Sequence, residues 1–176
     1  MPGVAGFRCG ALRATVGGEN KEETDSEKPL QSRVARYLRA PMEIQVATLC
    51  DSAMDYNSKL CVLGTFDTIG SRAVPIVHPQ AALALRICFR EQDSGSHTLN
   101  IRLIDADGNN CMQPLEAAID ITVPEGTEFL TRNMILNFQP LQFKEAGTYA
   151  FEVSIADQQL ASIPVRVIVV DQAAQA

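Results

Sequence analysis

The stretch from Lys144 to Val170 reads KEAGTYAFEVSIADQQLASIPVRVIVV. Within it Tyr149, Phe151, Val153 and Ile155 alternate with Ala150, Glu152 and Ser154. A period of two puts successive side chains on opposite faces of a β-strand, so one set is expected in a core and the other toward water. The segment DQQ then turns the chain, and SIPVRVIVV (162–170) returns as a second strand. Pro164 has no N–H to give to a ladder and therefore marks an edge position.

Working outward from this pair, the same period recurs upstream. ALALRICFR (82–90) is expected to turn Leu83, Leu85, Ile87 and Phe89 inward and Ala84, Arg86, Cys88 and Arg90 outward. TLNIRLID (98–105) sets Leu99, Ile101 and Leu103 against Asn100 and Arg102, and EAAIDITVP (116–124) sets Ala117, Ile119, Ile121 and Val123 against Asp120 and Thr122. EIQVATLC (43–50) is a further strand, and MILNFQPLQF (134–143) is one interrupted at Pro140, which marks an edge, bend or bulge. LCVLGTFDTI (60–69) is nearly continuous apolar and predicts a strand covered on both faces. DSAMDYNSK between the first two reads as a turn-rich loop or a single helical turn, and ADGNN (106–110) as a hairpin turn. These are eight short strands with no ten-residue amphipathic helix between them, so parallel crossovers have no connector. The expected architecture is all-β: an antiparallel two-sheet β-sandwich of about seven to eight strands.

The segment EAGTYAF resembles the D-x-G-x-Y-x-C signature at the E–F corner of immunoglobulin-like domains. Glu145 takes the acidic place, Gly147 the turn, and Tyr149 the tyrosine-corner place, where the phenol bonds back to the preceding loop. Phe151 stands where such domains carry the disulfide cysteine, and the chain has no Trp, so the usual strand-C tryptophan is missing too. An apolar plug in place of a cross-link fits a reducing compartment. More broadly, Met42–Val167 resembles an uncharacterised bacterial domain family. The resemblance rests on Lys59–Asp67 (KLCVLGTFD), on His78–Pro79, and on the Gly-Thr-Tyr-Ala-Phe strand with its closing Pro-Val-Arg-Val. It implies a bacterial origin and a compact sandwich, and no activity.

Charge divides the chain. Residues 1–41 hold seven Lys/Arg against five Asp/Glu, a net +2, whereas residues 42–176 hold eight against sixteen, a net −8. Nucleic-acid affinity is carried largely by Lys/Arg contacts to phosphate, so an acidic domain without a basic cluster excludes nucleic acid, and anionic membrane surfaces with it. Residues 1–41 show neither period, and their run ENKEETDSEK predicts a disordered or weakly helical N-terminal extension, with a short helix at Ser32–Arg39. The sandwich is expected to occupy 42–170, starting at Met42, with 171–176 as a flexible tail. On this reading the preceding stretch is a tail or an over-extended start. Cys9, Cys50, Cys61, Cys88 and Cys111 are odd in number and lack zinc spacing. With no leader-like h-region, they read as reduced cysteines in a cytoplasmic protein.

Several groupings carry residue types suited to chemistry. Cys50 beside Asp51, with His78 or His97, supplies the elements of a Cys–His site, but nothing in the sequence places a positive group or a helix N-terminus next to the thiol. DADGNN (105–110) superficially matches a calcium loop, yet its Gly comes too early and no Glu occupies the twelfth place, so Asp105 and Asp107 are weak metal candidates and no cofactor is expected. Calcium becomes chemically reasonable if Asp51, Asp55, Asp67, Asp105 and Asp107 converge at one pole. The ligand- or partner-binding candidates are Asp51, Asp67, His78 and Arg86, with Asp67 or Glu91 the expected partner of Arg86 and a backbone hydrogen bond expected to fix His78. Phe89, Tyr149 and Phe151 are expected in the core, which removes aromatic platforms for sugars.

These features lead to a non-catalytic protein-interaction or accessory module, with a protein partner or self-association through an edge strand. The alternatives are a small-ligand or calcium-dependent binding domain using the loop pole, and a hydrolase with an unrecognised site.

Overall fold

The computed structural model describes residues 42–170, so the expectations of an N-terminal extension, of a helix at Ser32–Arg39 and of a flexible tail at 171–176 fall outside the described residues. Among the described residues eleven strands follow one another: β1 (Glu43–Tyr56), β2 (Lys59–Thr65), β3 (Thr68–Ser71), β4 (Ile76–His78), β5 (Ala81–Phe89), β6 (Gly95–Ile104), β7 (Leu115–Ile121), β8 (Leu130–Phe138), β9 (Leu141–Phe143), β10 (Gly147–Ile155) and β11 (Gln158–Val169). A 3-10 turn, Glu91–Asp93, interrupts them. One sheet has the order β2-β1-β5-β8 and the other β3-β11-β10-β6-β7, with β4 and β9 forming a two-stranded ribbon beside them. The chain is all-β and the two main sheets stack as an immunoglobulin-like sandwich.

The core lies between the sheets, where the alternation placed it. Leu83, Leu85, Ile87 and Phe89 of β5 meet Leu99, Ile101 and Leu103 of β6, and Tyr149, Phe151, Val153 and Ile155 of β10. Tyr149 Oη donates to the Glu145 carbonyl at 2.9 Å, so the E–F corner closes as its sequence anticipates. The Phe151 ring packs 5.2 Å from that of Phe138, and the Tyr149 ring 4.8 Å from that of Phe143.

Three expectations are corrected. The 60–69 run is not one covered strand: β2 ends at Thr65 in the first sheet, the chain crosses at Phe66 and Asp67, and β3 joins the second sheet. There β3 pairs in parallel with β11, Thr68 opposite Arg166. This parallel pair needs no helical crossover because almost the whole domain intervenes between the two strands. The outward residues of β5 are not solvated either, for Ala84, Cys88 and Arg90 are buried. The segment DSAMDY continues β1 rather than looping. Pro140 separates β8 from β9, and so marks the point where the chain leaves the first sheet for the ribbon. Pro164 lies in the part of β11 that has β10 on one side, while β3 covers only Arg166–Val169 on the other.

Candidate functional site

β1 is fourteen residues long and serves two partners. Its first half pairs with β5, from Glu43 opposite Cys88 to Cys50 opposite Ala82. Its second half pairs with β2, from Cys50 opposite Thr65 to Tyr56 opposite Lys59. Asn57 and Ser58 close this hairpin with φ of 52° and 62°, a two-residue turn that favours Asn. A straight β1 would carry Asp55 roughly 17 Å beyond Cys50, at about 3.3 Å per residue. Instead Asn133 Nδ2 donates to Asp55 Oδ2 at 2.6 Å, and Arg86 Nη1 donates to the Ser58 carbonyl at 3.1 Å. Arg86 and Asn133 face each other on β5 and β8, four pairs in from Ala82 and Asn137. The β1–β2 hairpin therefore folds back across the outer face of its own sheet.

The crease lies at Asp51 and Gly64. Gly64 holds φ +67°, and a Cβ placed there would overlap the Asp51 carboxylate. Gly64→Ala combines left-handed strain with this overlap, and an expected loss of ~2 kcal/mol follows. Urea unfolding measures it; a change within error would show that the crease does not depend on glycine.

Beneath the hairpin sits a second, smaller apolar cluster. Cys50, Ala82 and Ala84 are buried there, packed by Ala53, Leu60 and Ile135. Small residues on the outer face of β5 leave room for the hairpin to lie close, which is why the face predicted to meet water is covered. The Cys50 Sγ lies 3.5 Å from the Ala82 carbonyl, and burial pushes its thiol pKa up. Burial also raises that of Cys88. Arg86 braces the tip, donating from Nη1 to Asn133 Oδ1 and from Nη2 to Thr131 Oγ1, both at 2.8 Å. Its hydrogen bonds go to the hairpin and β8, not to Asp67 or Glu91, so this predicted binding residue acts as a strut.

The upper face of the hairpin is different. Leu60 packs inward, so Cys61 and Leu63 point away, and across the ladder Met54 stands opposite Cys61 and Ser52 opposite Leu63. Met54 is 59%, Tyr56 61% and Leu63 72% exposed, and Cys61 is exposed as well. Among the described residues β2 is also an edge strand, with no neighbour beyond it in the sheet. Isolated exposed apolar residues are ordinary, but a contiguous set on an open edge marks an interaction surface.

The remaining candidates gather only in part. Asp51 faces Gly64, Asp67 follows Phe66, and the His78 ring packs 5.2 Å from that of Phe66. Asp67 Oδ1 accepts from Thr68 Oγ1 at 2.8 Å, and Gln80 Nε2 donates to the Asp51 carbonyl at 3.4 Å. His78 Nε2 is buried without a hydrogen-bond partner among the described residues, so ring packing rather than a bond from that nitrogen fixes it. His97 Nε2 instead lies 2.8 Å from the Asp93 carbonyl.

Asp105 and Asp107 are elsewhere. Asp105 follows β6, three strand spacings from Asp67 along β3-β11-β10-β6, or roughly 14 Å. The acidic pole does not form, and no group of three metal-ligating side chains occurs among the described residues. Asp105 organises its own turn: Oδ1 accepts the Asp107 and Asn109 N–H groups at 2.9 Å each, and Oδ2 accepts Asn109 Nδ2 at 3.2 Å. This turn borders a cleft of about 550 Å³, closed on the other side by Phe143–Tyr149. Hydrogen bonds from the backbone and then the side chain of Asn109 hold the Asp105 carboxyl below the usual range. A carboxylate whose folded pKa is depressed stabilises the turn above its unfolded pKa of about 3.9, and that contribution fades as pH falls through the folded value. Amide protection at Asp107 and Asn109, the exchange rate taken relative to that of an unstructured amide at the same pH, should accordingly fall in acid, and an Asp105→Ala chain should lack that protection already at neutral pH. A flat pH response in the unsubstituted chain would contradict the keystone role.

Sequence reasoning missed Met54, Tyr56, Cys61 and Leu63 as a surface. Their signal was present as alternation in S-x-M-x-Y and K-x-C-x-L on either side of Asn57-Ser58. A family model described as a family of unknown function (DUF6941) matches residues 45–168. No curated protein matches the chain. Among solved structures, the alkylpurine DNA glycosylase AlkC of Pseudomonas fluorescens, bound to DNA containing an abasic site analog, aligns at 8% identity and a TM-score of 0.41. That alignment covers 77% of this chain but spans only 33% of the glycosylase. An immunoglobulin-like protein from Pseudomonas aeruginosa aligns at 15% identity and a TM-score of 0.35, over 73% of this chain and 98% of its own.

Proposed function

This chain belongs to the family of unknown function DUF6941, and we propose that it is a non-catalytic protein-interaction module of the bacterial cytoplasm that docks its partner on the β1–β2 hairpin. One observation carries the reading. β2 offers an open main-chain edge flanked by exposed Met54, Tyr56, Cys61 and Leu63, on a hairpin that Arg86 and Asn133 brace from below. Strand addition works in this way: main-chain hydrogen bonds supply affinity, and alternate side chains supply selectivity. The net −8 of residues 42–176 favours a protein partner over a nucleic acid or an anionic membrane. Cys50, Cys61, Cys88 and Cys111 carry unpaired thiols, which suits a reducing compartment. No helix among the described residues is long and apolar enough to cross a membrane.

The test compares capture from a bacterial lysate by the unsubstituted chain and by Leu63→Lys. A charge at the most exposed apolar position should remove the captured protein while circular dichroism stays unchanged. An identical captured set from both chains would move the docking surface away from this hairpin.

A further inference from the structure

Building on the docking reading, we propose that the occupant of β2 is a second copy of this chain, paired antiparallel through a two-fold axis at Val62. The edges of the sheets differ in how they are guarded. β7 carries Glu116 and Asp120, β8 carries Arg132, β3 is four residues long, and the open half of β11 contains Pro164. Charge, proline and shortness are the means by which proteins keep sheet edges apart. β2 has seven residues, no proline, no acid, and one base at its first position.

The hairpin fixes which groups face outward. A two-residue turn makes Tyr56 and Lys59 a hydrogen-bonded pair, so Lys59, Cys61 and Leu63 bond to β1, while Leu60 and Val62 turn their N–H and C=O groups to the open edge, an alternation that ends at the left-handed Gly64. With the axis at Val62, the two Val62 residues exchange both hydrogen bonds. Leu60 then faces Gly64, Cys61 faces Leu63, and Lys59 faces Thr65 of the second copy. Each exposed Leu63 gains an apolar neighbour, and the two Lys59 groups stand at opposite ends. Parallel pairing would set Lys59 beside Lys59 and leave the assembly unclosed.

Charge argues the same way. A domain of net −8 repels its own copy over most of its surface, whereas β2 carries a single positive charge and no negative one. Asp55, on the neighbouring strand, is bonded downward to Asn133. A seven-residue ladder and its flanking side chains bury less than the ~1,200 Å² of a stable interface, so the dimer dissociates on dilution.

The experiment is size-exclusion chromatography with light scattering on the full chain over a wide concentration range. The mass should rise from one chain to two. Val62→Pro removes the outward N–H without breaking the ladder to β1, and should stay monomeric with an unchanged thermal midpoint. Leu63→Lys carries the same expectation should the proline perturb the fold. In a Cys9→Ser, Cys111→Ser chain, a short bis-maleimide should join Cys61 to Cys61, which are diagonal neighbours at roughly 7–8 Å, and Val62→Pro should abolish the product. A monomer at every concentration, or a dimer that both substitutions leave intact, overturns the second copy as occupant. If that result comes with capture that Leu63→Lys still abolishes, β2 docks a different protein. If capture is insensitive as well, the docking reading falls with it.

Discussion

Phe151→Ala is expected to cost about 3–5 kcal/mol, read as a lower urea midpoint with an unchanged slope. Phe151 is fully buried at the centre of β10, opposite Leu103 on β6 and Ile163 on β11, with its ring on Phe138 of the other sheet. It therefore spans the gap that a disulfide would span in the immunoglobulin-like signature. A native disulfide contributes typically 2–4 kcal/mol by restricting the unfolded chain, whereas the phenylalanine acts in the folded state through burial and dispersion. The two routes give comparable magnitudes and different dependences. A plug responds to truncation and ignores reductant, so dithiothreitol should leave the midpoint in place. Phe151→Leu keeps most of the volume and should lose less than half as much as alanine. Against a typical total of about 5–15 kcal/mol, the alanine chain stands near the limit of folding. A loss below about 1 kcal/mol would mean that Phe151 is not what joins the two sheets.

The strands most legible in the sequence, β5, β6 and β10, each turn alternate residues onto the sandwich core, so their apolar residues recur with a period of two. The E–F corner was legible for a local reason: Gly147 and Tyr149 sit close in sequence to the Glu145 carbonyl that the phenol reaches. Failures came where burial depends on a distant element. Ala84 and Cys88 look outward by parity, yet β5 is covered on that side, in part by the hairpin that folds back from Asp51. The 60–69 run looks doubly covered by composition, yet β2 lies on an open edge. Hydropathy cannot tell a strand hidden by its own domain from one reserved for another chain. The polar candidates fared similarly. His78 packs on Phe66, Asp51 lies against Gly64 at the crease and Asp67 bonds Thr68, whereas Arg86 serves the hairpin tip and Asp105 its own turn, partnerships fixed by three-dimensional register rather than by spacing.

Arg90 provides the second large effect. Parity placed it outward on β5, but it is 2% exposed, and Asp93 beside it is 7% exposed. Its Nη2 lies 3.7 Å from Glu43 Oε2 at the start of β1, and its backbone N–H donates to Asp93 Oδ2 at 2.8 Å. The guanidinium thus ties the end of β5 to the strand that begins the folded-back hairpin. Removing one member of a buried pair typically costs ~3–5 kcal/mol, because the group left behind is desolvated without its partner. Glu43 is about half exposed and recovers water, which moves the expectation for Arg90→Ala to the lower end, about 3 kcal/mol. The aliphatic stem contributes packing of its own, so substitutions at two positions separate the terms. Arg90→Met keeps the stem and loses the charge; Glu43→Gln keeps the arginine and loses only the exposed partner. If the charge matters because Asp93 is buried next to it, methionine should lose nearly as much as alanine, and Glu43→Gln under 1 kcal/mol. If packing dominates, methionine should restore most of the stability. An Arg90→Ala chain as stable as the parent would show that neither the charge nor the stem of this buried residue holds the end of β5 to β1.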